Sequence, residues 1–318
     1  MEFSISREHT GLTVLSFLKM KLKISRGALS SLKRVHMGIC VNGEHVTVRY
    51  QLKEGDLLTI NEKDSFDDVN HSIMPRELPL DIIFENDELF ILNKPADMPT
   101  HPSHNHTEDT LANALTFLYA QRGEPLVFRP IGRLDRNTSG ISLIAKNSIS
   151  ASYLEYAKTR GMIAKRYLAI LKGQIANDCD WHKTTIYIRR MDDSIIIRCV
   201  SDRTDNEAFI AITQWRMLYS NGTISLVEAI PVTGRTHQLR VNFAHLGYPI
   251  LGDDVYGVPS EYISRHALHA YFLSIPMPYT DQTTDFFTVP PTDMCDAFNK
   301  ICGMDLVETI SSLFKEKK

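Results

Sequence analysis

The stretch that decides the fold and the chemistry runs from residue 133 to residue 140 and reads Arg-Leu-Asp-Arg-Asn-Thr-Ser-Gly. Arg133 and Asp135 lie two residues apart in an extended segment, so their side chains point to the same side. The Thr-Ser-Gly that follows is typical of a turn, because glycine accepts a positive φ without steric cost. A carboxylate held there beside an arginine indicates either a catalytic group or a structural salt bridge, and the local residues leave both interpretations open.

Three further segments extend the pattern along the chain. They are Ile91-Leu92-Asn93-Lys94-Pro95-Ala96 with Thr100-His101-Pro102-Ser103; Lys165-Arg166-Tyr167-Leu168-Ala169-Ile170-Leu171-Lys172-Gly173; and Thr233-Gly234-Arg235-Thr236-His237-Gln238-Leu239-Arg240-Val241, followed by residues 246–253, Tyr256-Gly257 and Ala267-Leu268-His269-Ala270. In this order the segments resemble the motifs of the RluA-type RNA pseudouridine synthases. Three positions depart from that pattern, with Gly132 and Asn242 where histidines are common and Asp97 where glycine is usual. The departures leave the reaction in place and leave the RNA target open.

The resemblance implies an α+β fold with a large, mostly antiparallel mixed sheet crossed by a central cleft, and an isomerase that converts uridine in RNA to pseudouridine. It implies that Asp135 is the essential carboxylate, that Tyr167 stacks on the base and moves a proton, and that Arg240 pairs with Asp135. An arginine in reach would keep the carboxylate ionised, and an ionised carboxylate can act as a nucleophile.

The resemblance also suggests which residues touch RNA. Arg133 would fill the gap left when the uridine is flipped out of a stem. Arg235, His237 and Gln238 would contact phosphates or hold the cleft. For Lys94 two interpretations stand, a loop-shaping role and direct contact with RNA.

The first sixty residues resemble the small RNA-binding domain named after ribosomal protein S-four. They contain nine Lys or Arg against five Asp or Glu, whereas the whole chain has a net charge of -3. Leucine spacing predicts one helix before Leu22 and a second, capped by Ser25, that extends to Val35; strands follow at 39–41 and through Val46 and Val48. The candidate RNA-binding residues are Lys21, Lys23, Arg26, Lys33 and Arg34. An unrelated α+β domain with solvated lysines is the alternative.

The domain prediction is residues 1–62 for RNA binding, 63–79 as a flexible acidic linker, 80–285 for catalysis and 286–318 as a tail with one amphipathic helix. Helices are predicted at 108–120 and 149–160. Strands are predicted at 82–84, 89–93, 141–145, 166–171, 184–189, 194–200, 207–213, 223–230 and 267–275.

Several classes of protein have no support in the sequence. The five cysteines are scattered and form no Cys-x-x-Cys pair, so neither a zinc site nor a disulfide framework is expected. His101, His104 and His106 lack supporting carboxylates or thiols, so no metal is expected. There is no Gly-rich phosphate loop, no signal peptide and no apolar run that could span a membrane, so we expect a cytoplasmic monomer without a cofactor or nucleotide.

The expected partner is structured RNA. Large-subunit ribosomal RNA is favoured by the appended N-terminal domain, and transfer RNA is the alternative. A non-catalytic RNA-binding or chaperone protein on the same fold is the rival hypothesis. A carboxylate-dependent glycosidase would need a second well-placed acid.

Overall fold

The computed structural model describes residues 1–62, 64, 66–175, 180–280 and 282–315. Over these residues the chain forms two sheets, one of four strands and one of eleven. The small sheet has the order β1-β4-β2-β3 and carries two helices. Its elements are β1 (Glu2–Ser4), α1 (Val14–Lys21), α2 (Arg26–Leu32), β2 (Ile39–Val41), β3 (Glu44–His45) and β4 (Leu57–Ile60).

Side-chain caps fix the start of both N-terminal helices. The hydroxyl of Thr13 accepts a hydrogen bond from the Ser16 amide at 3.1 Å, and that of Ser25 accepts one from the Ala28 amide at 3.1 Å. The buried faces of the two helices pack on β2 and β4 and form the N-terminal hydrophobic core. Two predictions fail here: α2 ends at Leu32 because the chain turns after it, and the strand predicted through Val46 and Val48 is limited to residues 44–45.

The large sheet has the order β11-β10-β12-β13-β9-β14-β8-β6-β5, with β15 paired to β14 and β7 paired to β8. All of its strand pairs are antiparallel except β14 with β8. The predicted α+β fold with a large, mostly antiparallel sheet is therefore confirmed. Its strands are β5 (Ile82–Glu85), β6 (Leu89–Lys94), β7 (Arg129–Pro130), β8 (Ser139–Ala145), β9 (Ala164–Lys172), β10 (His182–Arg190), β11 (Arg198–Ser201), β12 (Phe209–Ser220), β13 (Ile224–Pro231), β14 (Leu268–Pro276) and β15 (Thr283–Phe287).

The parallel contact between β8 and β14 depends on Gly140. A Cβ at this position would lie 2.3 Å from the carbonyl oxygen of Ala270, and the backbone has a φ of +111°. Only glycine allows this approach. Because Ala270 is also paired with Tyr167 of β9, the three residues form a row across the sheet. The row places Tyr167 one intervening strand, β14, away from β8, the strand that begins just after the Asp135 loop.

Five helices accompany the large sheet: α3 (Leu111–Arg122), α4 (Ser148–Thr159), α5 (Gln238–His245), α6 (Thr292–Cys302) and α7 (Leu306–Lys315). Leu239 and Phe243 of α5 belong to the same core as Tyr167 and Leu134. Residues of α6 and α7, including Phe298, are buried in that core as well. The segment after residue 285 therefore has two helices rather than the one predicted, and both help to build the core.

The segment predicted to be a flexible linker is held by contacts with the larger unit. Asp64 forms a paired interaction with the guanidinium of Arg129 at 2.6 and 2.7 Å. Just before it, the carboxylate of Glu62, the last residue of the predicted N-terminal domain, accepts hydrogen bonds from the first two amides of α4, those of Ser148 and Ile149, at 3.1 Å each. Ile149 in turn is buried in the N-terminal core. The ion pair of Asp64 does not match flexibility at that residue, and the domain bounds stay a prediction.

The described residues contain no helix that is both long and apolar enough to cross a bilayer. They also contain no group of three or more His, Cys, Asp or Glu side chains arranged to hold a metal ion. Cys40, Cys199, Cys295 and Cys302 are free thiols, and Cys179 lies outside the described residues.

Candidate active site

Asp135 lies in the loop between β7 and β8, and the backbone of this loop is fixed on both sides. The Thr138 amide donates to the carbonyl oxygen of Asp135 at 3.1 Å, and the Thr100 hydroxyl donates to that of Leu134 at 3.1 Å. The Thr138 hydroxyl is also bonded to His266 Nε2 at 2.8 Å, in the protein interior. The Asp135 side chain remains 29% exposed. The loop therefore presents a carboxylate in a fixed position that an incoming molecule can reach.

Lys94 holds the backbone of this loop through hydrogen bonds. Its ammonium donates to the carbonyl oxygens of Pro95 and Met98 at 2.8 Å each and to that of Arg136 at 3.0 Å. The residue is fully buried, and burial lowers the pKa of Lys94 to about 7 although the charge of Asp135 acts to raise it. The hypothesis of direct contact between Lys94 and RNA is wrong in this structure, because all three donors are enclosed by carbonyls. The loop-shaping interpretation fits.

Tyr167 lies in β9 and is buried apart from 8% of its surface. Burial raises the pKa of Tyr167, and the nearby charge of Asp135 raises it further, so the hydroxyl keeps its proton at neutral pH. Within the described part of the chain this hydroxyl has no hydrogen-bond partner. A protonated donor without a partner beside a carboxylate is available to a substrate.

Arg240 projects from α5 and does not pair with Asp135 as predicted. Its Nε and Nη2 donate to the two oxygens of Asp253 at 2.8 and 2.7 Å, and both side chains are buried. Asp253 also accepts from the amides of Val255 and Tyr256 at 3.1 and 3.0 Å. The prediction fails because Asp253 is a second carboxylate within reach and is already oriented by two amides. Arg240 therefore forms its bidentate pair with Asp253.

The positive charge of Arg240 nevertheless interacts with Asp135. Burial acts to lower the pKa of Arg240, whereas the hydrogen bonds and charge of Asp253 and the charge of Asp135 raise it. The guanidinium therefore stays ionised close to Asp135, and Asp253 fixes its position. Sequence reasoning missed Asp253 as a site residue, although it ends the quoted run 246–253 and could have been proposed as a competing partner.

His237 forms the side of the site next to Asp135. Its Nε2 lies 4.0 Å from Asp135 Oδ2, and its Nδ1 is bonded to the Tyr256 hydroxyl at 2.8 Å. That hydroxyl accepts a hydrogen bond from the Arg198 amide at 2.8 Å, so its own proton is free to go to Nδ1. Burial lowers the pKa of His237 although Asp135 raises it. A neutral imidazole with its proton on Nε2, facing Asp135, follows from this arrangement.

The remaining predicted RNA contacts divide into exposed and enclosed residues. Arg133 and Arg235 are exposed, and the guanidinium of Arg235 lies 5.1 Å above the ring of Phe209. Gln238 is buried: its oxygen accepts from the Thr233 hydroxyl at 2.8 Å, and its amide donates to a carbonyl of β12 at 2.9 Å. Gln238 thus holds the turn that leads into α5, whereas Arg133 and Arg235 are open to a ligand.

The basic residues of the N-terminal unit belong to a separate surface. Arg26, Lys33 and Arg34 are exposed, while Lys21 and Lys23 are partly buried. The Lys23 ammonium donates to the Met20 carbonyl at 2.6 Å and lies 5.3 Å from the ring of Tyr156 in α4. None of these contacts reaches the Asp135 loop, so the structure does not bring this set into the candidate active site.

Comparisons with known proteins agree with this geometry. Residues 88–245 match the family model described as RNA pseudouridylate synthase. The chain is 35% identical over 276 residues to the RNA pseudouridine synthase YjbO of Bacillus subtilis, covering 86% of this chain and 94% of that protein. It is 31% identical over 290 residues to ribosomal large subunit pseudouridine synthase D of Zymomonas mobilis, covering 86% and 88%. The human RNA pseudouridylate synthase domain containing 1 superposes with a TM-score of 0.55 at 25% identity, covering 74% of this chain and 94% of that one.

Fold, site and relatives together define an RNA-modifying isomerase. The chain belongs to the RNA pseudouridine synthase family, with motifs of the RluA type.

Proposed function

We propose that this enzyme isomerises specific uridines of large-subunit ribosomal RNA, with Asp135 as its essential carboxylate. One observation carries the assignment of the site. An accessible carboxylate, a buried arginine that keeps its charge and a tyrosine hydroxyl with no hydrogen-bond partner among the described residues lie together at its centre. The ribosomal target is supported by relatives that are named large-subunit pseudouridine synthases.

The reaction breaks the bond between ring nitrogen 1 and the sugar, and rejoins the sugar to ring carbon 5. The bonding electrons leave with the uracil, which gains a proton at nitrogen 1 and loses the one at carbon 5. An ionised Asp135 can attack the sugar carbon or promote elimination across the sugar. The positive charge of Arg240 lies close enough to interact with Asp135 in either case.

In this proposal Tyr167 acts on the detached base. Its ring offers a stacking surface, and its raised pKa makes its hydroxyl a donor toward the negative charge that uracil develops as the bond breaks. Arg133, exposed two residues before Asp135, is placed to occupy the space that the flipped uridine leaves in its stem. We further propose that residues 1–62 bind RNA, supported by their excess of basic side chains and the exposure of Arg26, Lys33 and Arg34.

Mapping pseudouridine in total RNA from cells with and without the protein tests the proposal. The expected result is the loss of one or a few positions in large-subunit ribosomal RNA. If pseudouridines are lost only from transfer RNA, the proposed chemistry stands and transfer RNA is the substrate instead. An unchanged map, together with no activity of the purified protein on unmodified RNA, would favour the non-catalytic RNA-binding alternative.

A further inference from the structure

Lys165 is a cationic side chain that no acidic group of the described chain neutralises by direct contact. It lies in β9 two residues before Tyr167, so both side chains point to the same face of the strand. Lys165 is partly buried, and in the described part of the chain its ammonium has no hydrogen-bond or ion-pair partner. Glu155 of α4, whose negative charge acts on Lys165, is already bonded to Lys158 at 2.9 Å.

The position of the amine is defined by Gly132, three residues before Asp135. A Cβ built on Gly132 would lie 4.0 Å from Lys165 Nζ. The amine therefore lies against the loop that carries Arg133 and Asp135, and the missing side chain at residue 132 leaves space beside it. Burial lowers the pKa of Lys165 to about 8, so the charged form still predominates at neutral pH.

A partly buried charge without a partner is unfavourable in the free protein, and this cost disappears when an anion arrives. The anions of an RNA substrate are its phosphates. Lys165 lies about 7 Å along the strand from Tyr167, the residue that stacks on the base in the proposed function. We propose that Lys165 binds a backbone phosphate next to the flipped uridine, and so positions the nucleotide between Tyr167 and Asp135.

This inference rests on the proposed function, because it places the substrate base on Tyr167. Its consequence is specific: Lys165 contributes to holding RNA, and does not take part in breaking or forming bonds. The effect should therefore appear in KM and in the salt dependence of binding, and should leave kcat nearly unchanged.

The test compares Lys165→Met, Lys165→Arg and the control Lys172→Met, which changes an exposed lysine at the end of the same strand. Activity is the release of tritium from carbon 5 of labelled uridine in unmodified RNA transcripts. Dissociation constants are measured in an Asp135→Asn background, where turnover does not interfere. Lys165→Met should raise KM by about 10-fold to 100-fold and reduce the slope of log affinity against log salt by about 0.7–0.9.

Lys165→Arg should recover most of the affinity, and Lys172→Met should behave like the wild type. Lys165→Met with wild-type KM and salt slope would overturn the proposal. A fall in kcat and in melting temperature without a change in KM would also overturn it, in favour of a structural lysine. Failure of the wild type to release tritium from any RNA would count against the proposed function instead, while the salt slope would still test Lys165.

Discussion

Replacing Asp253 by asparagine tests the pairing that fixes Arg240. The two side chains form a buried bidentate ion pair at 2.7 and 2.8 Å, and Asp253 is fully inaccessible to solvent. An asparagine at this position would keep the shape, remove the negative charge and turn an NH₂ group toward the guanidinium. Removing one partner of a buried ion pair costs about 3–5 kcal/mol, because the remaining charge has no compensation. We expect a loss of that size in the free energy of unfolding.

Activity should fall as well, because Asp253 fixes the guanidinium whose positive charge acts on Asp135. Misplacing a catalytic group by about 1 Å can cost on the order of 100-fold in rate. Asp254→Asn is the matched control: its carboxylate is 67% exposed and 3.9 Å from Arg240 Nη2. Exposed pairs of this kind contribute roughly 0–1 kcal/mol.

Urea unfolding and single-turnover rates, measured for both asparagine variants and for Asp135→Asn, separate the two pairings. The structure predicts a large stability loss for Asp253→Asn alone. If Asp135→Asn loses several kcal/mol while Asp253→Asn resembles the wild type, Arg240 is paired with Asp135 in solution and the reasoning is refuted.

Four other outcomes are expected. Tyr167→Phe should keep RNA affinity and lose about 10²–10⁴-fold in turnover, since only the proton-carrying hydroxyl is removed; a fully active Phe variant would take Tyr167 off the catalytic list. Lys94→Met should cost about 3 kcal/mol or more in the free energy of unfolding, because three carbonyls lose their donor at about 1–3 kcal/mol for each unsatisfied group, while the folded fraction binds RNA normally; weakened binding would support the hypothesis of direct contact instead. Deleting residues 1–62 should weaken binding to long structured RNA and flatten its salt dependence, an effect checked by titration at several salt concentrations; an unchanged slope would show that the basic residues are only solvated. Burial lowers the pKa of His266 to about 3 and that of His269 to about 4, from 6.5. In the unfolded chain these histidines bind protons that the folded protein excludes. Their contribution to the free energy of unfolding is therefore fully present above about pH 6.5 and is lost as the pH drops toward 4. His269→Gln should flatten this decline in urea titrations, and an unchanged decline would show that His269 does not cause it.

Much of the large sheet could be predicted because most of its strands are long and rich in Ile, Leu and Phe. Strands such as β13 and β14 lie within one or two residues of their predicted positions. The short strands β1 and β4 were not predicted. β1 has three residues, and its partner β4 begins more than fifty positions along the chain. Such non-local pairing has no local signal. The helix α6 was readable from Met294, Ala297 and Phe298, which have helical spacing and are buried.

The residues of the site could be named from motifs, but not all of their partners. Motif order brings Asp135, Tyr167 and Arg240 into one site, and the structure places them together. The direction in which a guanidinium points depends on competing acceptors, and sequence alone does not rank Asp135 against Asp253. For Lys94, the burial that decides its role depends on three carbonyls from two loops. Such enclosure depends on the tertiary fold and cannot be recognised from the residue type.

The central claim is that Asp135 carries out uridine isomerisation, and one measurement tests it most directly. Purified wild type and Asp135→Asn are incubated with unmodified RNA tritiated at carbon 5 of uridine, and the released tritium is counted. Because asparagine keeps the shape but is uncharged and a very poor nucleophile, we predict release by the wild type and none by the variant, with RNA affinity retained. Release by Asp135→Asn at near the wild-type rate would contradict the account.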